Sequence, residues 1–143
     1  MVVATKRKNT LAADRAVAFF SNLKHSTGEF AGKPFTLMPW QEKEIIRPLF
    51  GTLNPDGTRQ YRTCYVEVPR KNGKTETGAG VALYGLFADN EQGAQVYSAA
   101  GDRMQAGLIF TAATPMVRQA PALDKRARII ESQKRIVYYE TNS

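Results

Sequence analysis

Apolar residues recur at helical spacing in some stretches of this chain and alternate with polar ones in others. From Asp14 to Leu23, the positions of Ala16, Phe19, Phe20 and Leu23 predict an amphipathic helix that ends near His25-Ser26-Thr27-Gly28. A second helix is expected from Pro39, which suits a first turn, to Gly51, a natural stop, with Pro48 kinking or shortening its last turn. The turn signal Asn54-Pro55-Asp56-Gly57 is followed by alternation over Gln60–Val68, which reads as a strand. After it, Val81, Leu83, Tyr84, Leu86 and Phe87 lie on much of the circumference of a glycine-rich helix. Ala94–Ala100 reads as another strand, and Asp102 caps a long helix interrupted at Pro115. The last residues alternate like two short strands joined near Ser132-Gln133-Lys134. This β-α-β-α order argues for an α/β fold with a parallel sheet flanked by helices.

Composition narrows the setting. With 143 residues, 43% of them hydrophobic, the chain has material for one compact domain and not for a second. Its net charge of +7 favours polyanionic partners, although a basic solvated surface would show the same balance. The single cysteine, Cys64, cannot form an internal disulfide; its place in an alternating stretch reads as a buried structural thiol in a reducing compartment. No apolar run is long enough to cross a bilayer and the opening MVVATKRKNT lacks a signal segment, so a soluble cytoplasmic protein is expected. His25 is the only histidine, which excludes a His-rich zinc site and leaves a Ser-His-Asp triad without support; at a helix end it reads as a surface residue.

The candidate chemistry lies in residues 66–76, VEVPRKNGKTE. Gly73-Lys74-Thr75 has the form in which phosphate-binding loops end, but Val68 stands where such a loop usually opens with glycine. The physical requirements sit at the end of the loop. Backbone N–H groups converge on phosphate at a helix N-terminus, a lysine reaches the β and γ phosphates, and a Ser or Thr hydroxyl binds Mg²⁺. All three occur here between an expected strand and an expected helix. A basic surface turn built on Asn72-Gly73 is the competing reading.

Pro69-Arg70-Lys71-Asn72-Gly73-Lys74-Thr75 resembles the deviant Walker A loop of the large terminase subunit of tailed bacteriophages and prophages, in which an arginine-containing loop replaces the opening glycine. The resemblance extends to FAGKPFTLMPWQEKEIIRPLFG before the loop and to AQVYSAAGDRMQAGLIFTAA after it, and covers roughly residues 15–143. It implies a P-loop NTPase fold of the RecA/ASCE type, with residues 1–143 as the N-terminal portion of the ATPase domain, truncated at the C-terminal end and without the family's nuclease domain.

It also implies roles. Lys74 would hold the β and γ phosphates of ATP, Thr75 would ligate Mg²⁺, and Arg70 would stabilise charge on the γ-phosphate as an arginine finger. Pro69, Lys71, Asn72, Gly73 and Glu76 complete the loop, with Glu76 read as a first-turn carboxylate rather than a base. Trp40 and Gln41 would contribute to the adenine pocket; alternatively they simply start a helix. Hydrolysis also needs a later Asp-Glu pair. No such dipeptide occurs, and Glu140 at the end of Ile136–Tyr139 reads as part of an edge hairpin. ATP binding without turnover is therefore the expectation for this stretch. In the full protein the implied function is translocation of double-stranded DNA into a capsid, with a portal protein, a small terminase subunit and a homo-oligomeric ring as partners. The competing classes are a non-catalytic basic DNA-binding module using Arg59, Arg62, Lys125, Arg126 and Arg128, and a helicase-like ATPase fragment.

Overall fold

The structure is a computed structural model that describes residues 7–143. The absence of a signal segment was read from a stretch whose first six residues lie outside those described. The chain divides into two compact units, one formed by residues up to Ser21 with Thr36–Val68, the other by Asn22–Phe35 with Pro69–Ser143.

In the first unit β1 (Arg7–Lys8) pairs antiparallel with β2 (Thr52–Leu53). Helix α1 (Thr10–Ser21) starts earlier than its apolar spacing predicts, because Asn9 supplies a cap: its Oδ1 accepts the Ala12 N–H at 3.1 Å. Ala13, Ala16 and Phe20 form its buried face. The second helix runs over residues 39–51, with a π-helical stretch at Gln41–Ile46 followed by α2 (Arg47–Gly51). Pro48 has no N–H and its ring crowds the preceding turn. The widened turn lies just before it, where the Arg47 N–H reaches back to the Glu42 carbonyl. The Arg47 guanidinium binds Glu42 Oε1 and Asp14 Oδ1, each at 2.7 Å, and so joins this helix to α1. Those two hydrogen bonds raise its pKa further above the ordinary value.

The predicted turn forms: Asn54 N–H donates to the Thr58 carbonyl at 2.8 Å and Gly57 N–H to the Asn54 carbonyl at 3.0 Å. The strand expected over Gln60–Val68 does not join a ladder. Tyr65 is 84% exposed, and Cys64 is exposed rather than buried. Alternation specifies two faces but not a partner; the Gln60 N–H reaches the Thr52 carbonyl at 3.0 Å and Val68 is half-buried, but Tyr61–Glu67 are exposed.

In the second unit the backbone of residues 22–35 closes on itself through Phe35 N–H to Leu23 O (2.9 Å) and His25 N–H to Lys33 O (2.9 Å). Helix α3 (Lys74–Phe87) packs along α4 (Arg103–Arg118), and Gly78 lets Ile109 approach closely. Asp102 caps α4 as expected, accepting the Gln105 N–H at 2.9 Å. Pro115 does not interrupt α4, which continues to Arg118. Met116 and Val117 are fully buried, and that packing offsets the one backbone bond the proline removes. After the short α5 (Pro121–Asp124), β3 (Ala127–Ile130) and β4 (Arg135–Tyr138) form the expected hairpin, with Ala127 opposite Tyr138. In Ala94–Ala100 all residues but the half-buried Ala94 are exposed, and like Gln60–Val68 the stretch joins no ladder named among the described residues. The chain is thus mixed α and β. Both named sheets among the described residues are two-stranded and antiparallel, and the expected parallel sheet is not among them.

Candidate functional site

The expected loop, Pro69–Gly73, leads directly into the first turn of α3 in the second unit. Lys71 has φ 67° and Gly73 φ 70°, whereas Arg70 and Asn72 are not in the left-handed region. The sign of φ therefore alternates along the loop, the pattern that turns successive N–H groups towards one concave side. Glycine adopts such a conformation freely at position 73, but a lysine at 71 is strained by it. Asn72 helps to hold the turn, its Nδ2 donating to the carbonyls of Pro69 (3.2 Å) and Arg70 (3.4 Å).

The helix start lacks a side-chain cap. Its first intrahelical bond runs from the Thr77 N–H to the Gly73 carbonyl at 2.9 Å, so the N–H groups of Gly73, Thr75 and Glu76 have no acceptor within the helix. Lys74 folds back over the loop, and its Nζ donates to the Pro69 carbonyl at 3.3 Å. Arg70 and Thr75 are exposed. A cation across the loop, N–H groups without an acceptor in the helix, a helix dipole and an exposed threonine form a donor set of the kind that suits a phosphate with its counter-cation.

The donor set also bears on Mg²⁺. Among the described residues no group of three or more His, Cys, Asp or Glu side chains could hold a metal ion. Mg²⁺ commonly takes only one or two protein ligands and completes its shell with phosphate oxygens and water, so Thr75 beside a bound triphosphate fits its chemistry.

Glu76, in the first turn of α3, is the most heavily bonded side chain of the site. Its Oε2 lies 2.6 Å from His25 Nδ1, and its Oε1 accepts from Ser26 N–H (2.7 Å), Ser26 Oγ (2.7 Å) and Thr27 N–H (3.2 Å). A carboxylate only accepts, so His25 Nδ1 carries the shared proton. Burial pushes the Glu76 pKa up, but the hydrogen bonds from His25 and Ser26 outweigh it and leave the carboxyl below its ordinary value. Glu76 is a first-turn carboxylate as expected; its bonding partners were not anticipated. His25 is not a plain surface residue: its ring lies 4.5 Å from that of Phe35 and its side chain is only 20% exposed. His25 and Glu76 are 51 positions apart, and no local spacing signals the pairing.

Trp40 and Gln41 belong to the first unit. Trp40 is half-buried, and Gln41, 2% exposed, accepts the Met38 N–H at 2.9 Å through its Oε1. That bond is the reciprocal half of a capping box and fixes the amide plane at the helix start. In the second unit Glu140 is tied to Arg126 at 3.3 Å and to the Tyr138 hydroxyl, as suits the end of a surface hairpin. Of the basic residues considered for DNA contact, Arg126 is thus already paired, and in the first unit Arg59 lies over the Phe50 ring at 5.5 Å.

Comparison with known proteins follows the same lines. The family model described as terminase large subunit, ATPase domain, matches residues 39–142. The terminase large subunit of Enterobacteria phage HK97 is 34% identical over 111 residues, which are 77% of this chain and 21% of that protein. The crystal structure of the HK97 bacteriophage large terminase resembles this chain with a TM-score of 0.75 at 30% identity, over 91% of this chain and 26% of the other. The chain therefore spans about a fifth of the length of the curated relative it matches.

Proposed function

The chain belongs to the terminase large subunit family, matched over its ATPase domain, and from that premise we propose that residues 69–76 bind the triphosphate of Mg-ATP as the nucleotide-holding part of a viral DNA-packaging motor. The observation that carries this reading is the alternation of φ over residues 70–73 immediately before an uncapped helix start, with Lys74 Nζ drawn across the loop.

In this arrangement the N–H groups of Gly73 and Thr75 receive phosphate oxygens, and Lys74 exchanges its bond to the Pro69 carbonyl for a charge-assisted one to the β and γ phosphates. Lys71 and Asn72 keep the backbone concave. Thr75 Oγ1 would hold Mg²⁺, which when bound neutralises charge between the phosphates. Arg70, exposed at the loop's turn, can reach towards developing charge on the γ-phosphate. Trp40 and Gln41 have the types suited to an adenine: an aromatic face and an amide already oriented by Met38. Soluble residence in the host cytoplasm agrees with the lack, among the described residues, of a helix long and apolar enough to cross a membrane. For the whole protein we propose translocation of double-stranded DNA into a capsid, with portal and small-subunit partners.

Calorimetric titration of Mg-ATP into the chain and into Lys74→Ala, with phosphate release followed on the same samples, tests this reading. Binding that is lost in the variant is expected. Equal binding by both would refute the loop assignment.

A further inference from the structure

We propose that the segment His25-Ser26-Thr27 positions the phosphate-binding loop, with Glu76 as the handle through which it holds the first turn of α3. This inference rests on the reading of residues 69–76 as a triphosphate site. Neither the His25 nor the Glu76 side chain would touch the nucleotide in this scheme; they act on Thr75 and on the neighbouring N–H groups, and are positioning side chains.

The geometry supports a fixed bracket rather than a chance surface pair. Four bonds from three consecutive residues converge on one carboxylate at 2.6–3.2 Å. The segment that supplies them is itself held at several points. His25 N–H donates to the Lys33 carbonyl, Gly32 N–H returns to the His25 carbonyl at 3.0 Å, and Phe35, 3% exposed, packs against the imidazole. Gln119 Nε2, just past the end of α4, also reaches the His25 carbonyl at 3.5 Å. The bracket thus ties the first turn of α3 to the end of the helix beside it.

Restraining one side chain of a first turn fixes how far the helix is rolled about its own axis. Thr75 directly precedes Glu76, about 100° away around the helix, so holding Glu76 sets the direction in which the Thr75 hydroxyl projects. The same roll sets where the N–H groups of Gly73 and Thr75 point. The bracket has a second consequence. A carboxylate one residue from a metal-ligating hydroxyl would repel an incoming triphosphate, and here its charge is compensated by the donors of His25, Ser26 and Thr27.

Because the bracket orients the Thr75 hydroxyl as well as the N–H groups, its effect should fall chiefly on the part of ATP affinity that depends on Mg²⁺. Outer partners that orient a metal ligand are typically worth about 10–100-fold in metal affinity. ATP affinity is therefore measured by calorimetry in Mg²⁺ and in EDTA for the full chain, His25→Ala and His25→Asn, the last restoring an N–H donor near the place of Nδ1. The expected result is roughly a tenfold or greater loss for His25→Ala in Mg²⁺, a distinctly smaller loss in EDTA, where only the N–H groups are affected, and recovery in His25→Asn. If His25→Ala loses affinity equally in both conditions, the contact is only structural and the inference fails. If it loses none, the inference fails while the triphosphate reading stands. If the unaltered chain binds ATP in neither condition, the triphosphate reading itself is overturned.

Discussion

Substituting Gly51 by alanine places a methyl group where α1 leaves no room for it. A Cβ at position 51 would lie 2.7 Å from Ala13 Cβ, 3.1 Å from the Asn9 carbonyl oxygen and 3.4 Å from Ala13 Cα. Optimal carbon–carbon separation is about 3.5–4.0 Å, so the overlap with Ala13 is about 1 Å. Two of the three neighbours are backbone atoms, and Ala13 has no rotamer with which to yield. Relief requires the end of the second helix to move away from α1, which stretches the 2.7 Å bond from Asn9 N–H to the Gly51 carbonyl. Asn9 also caps α1, so that cap is disturbed in the same movement. Overpacking of this kind costs about 1–3 kcal/mol, whereas the better helix propensity of alanine returns at most about 1 kcal/mol. Against neighbours that cannot yield the cost falls in the upper part of that range, about 2–3 kcal/mol, so a net loss of about 1–2 kcal/mol is expected. Urea denaturation measures it, with Gly101→Ala as a control, since no atom lies within 4 Å of a Cβ at that position. The control should stay within about 0.5 kcal/mol of the unaltered chain. A Gly51→Ala protein as stable as the control would refute the close approach of α1 and Gly51.

Glu76 gives a pH-dependent prediction. Its folded pKa lies below the ordinary 4.5, so its stabilisation is complete above that pH and is lost as pH falls through the folded value. The stability gap between the unaltered chain and Glu76→Gln should therefore narrow in urea titrations as pH is lowered below 4.5, and a gap independent of pH would contradict the bonded carboxylate. At Lys71, where φ is 67°, a β-branched side chain is far less tolerable than glycine. Lys71→Val should be less stable than Lys71→Gly by about 1–2 kcal/mol in thermal or urea unfolding. Asp102→Ala removes the 2.9 Å cap of α4 and should cost about 1 kcal/mol, read as a lower urea midpoint.

Local patterns announced the elements that local forces determine. The apolar spacing of α3 and α4, the Asp102 cap, the Asn54–Gly57 turn and the hairpin around Gln133 all follow from residues a few positions apart. The turn into α3 was legible too, because Asn72-Gly73 and the residues after it mark it locally. What the pattern missed depends on distant partners. Alternation over Gln60–Val68 and Ala94–Ala100 suggested paired strands, yet pairing needs a neighbour that alternation does not name, and both stretches stand outside the ladders, with Cys64 exposed in one of them. Pro115 signalled an interruption that burial of Met116 and Val117 overrides. His25 looked like a surface residue because Glu76 and Phe35 meet it only through tertiary packing.

The central claim is that Mg-ATP sits on the N–H groups of the loop and first turn, and amide chemical-shift mapping tests it most directly. On addition of Mg-ATP to isotope-labelled chain, the largest nitrogen–proton shifts should fall on residues 70–76, with Gly73 and Thr75 foremost, and Lys74→Ala should abolish them. Shifts concentrated instead on the basic residues Lys125, Arg126 and Arg128, and unchanged in that variant, would contradict the account and favour a site that responds to negative charge alone.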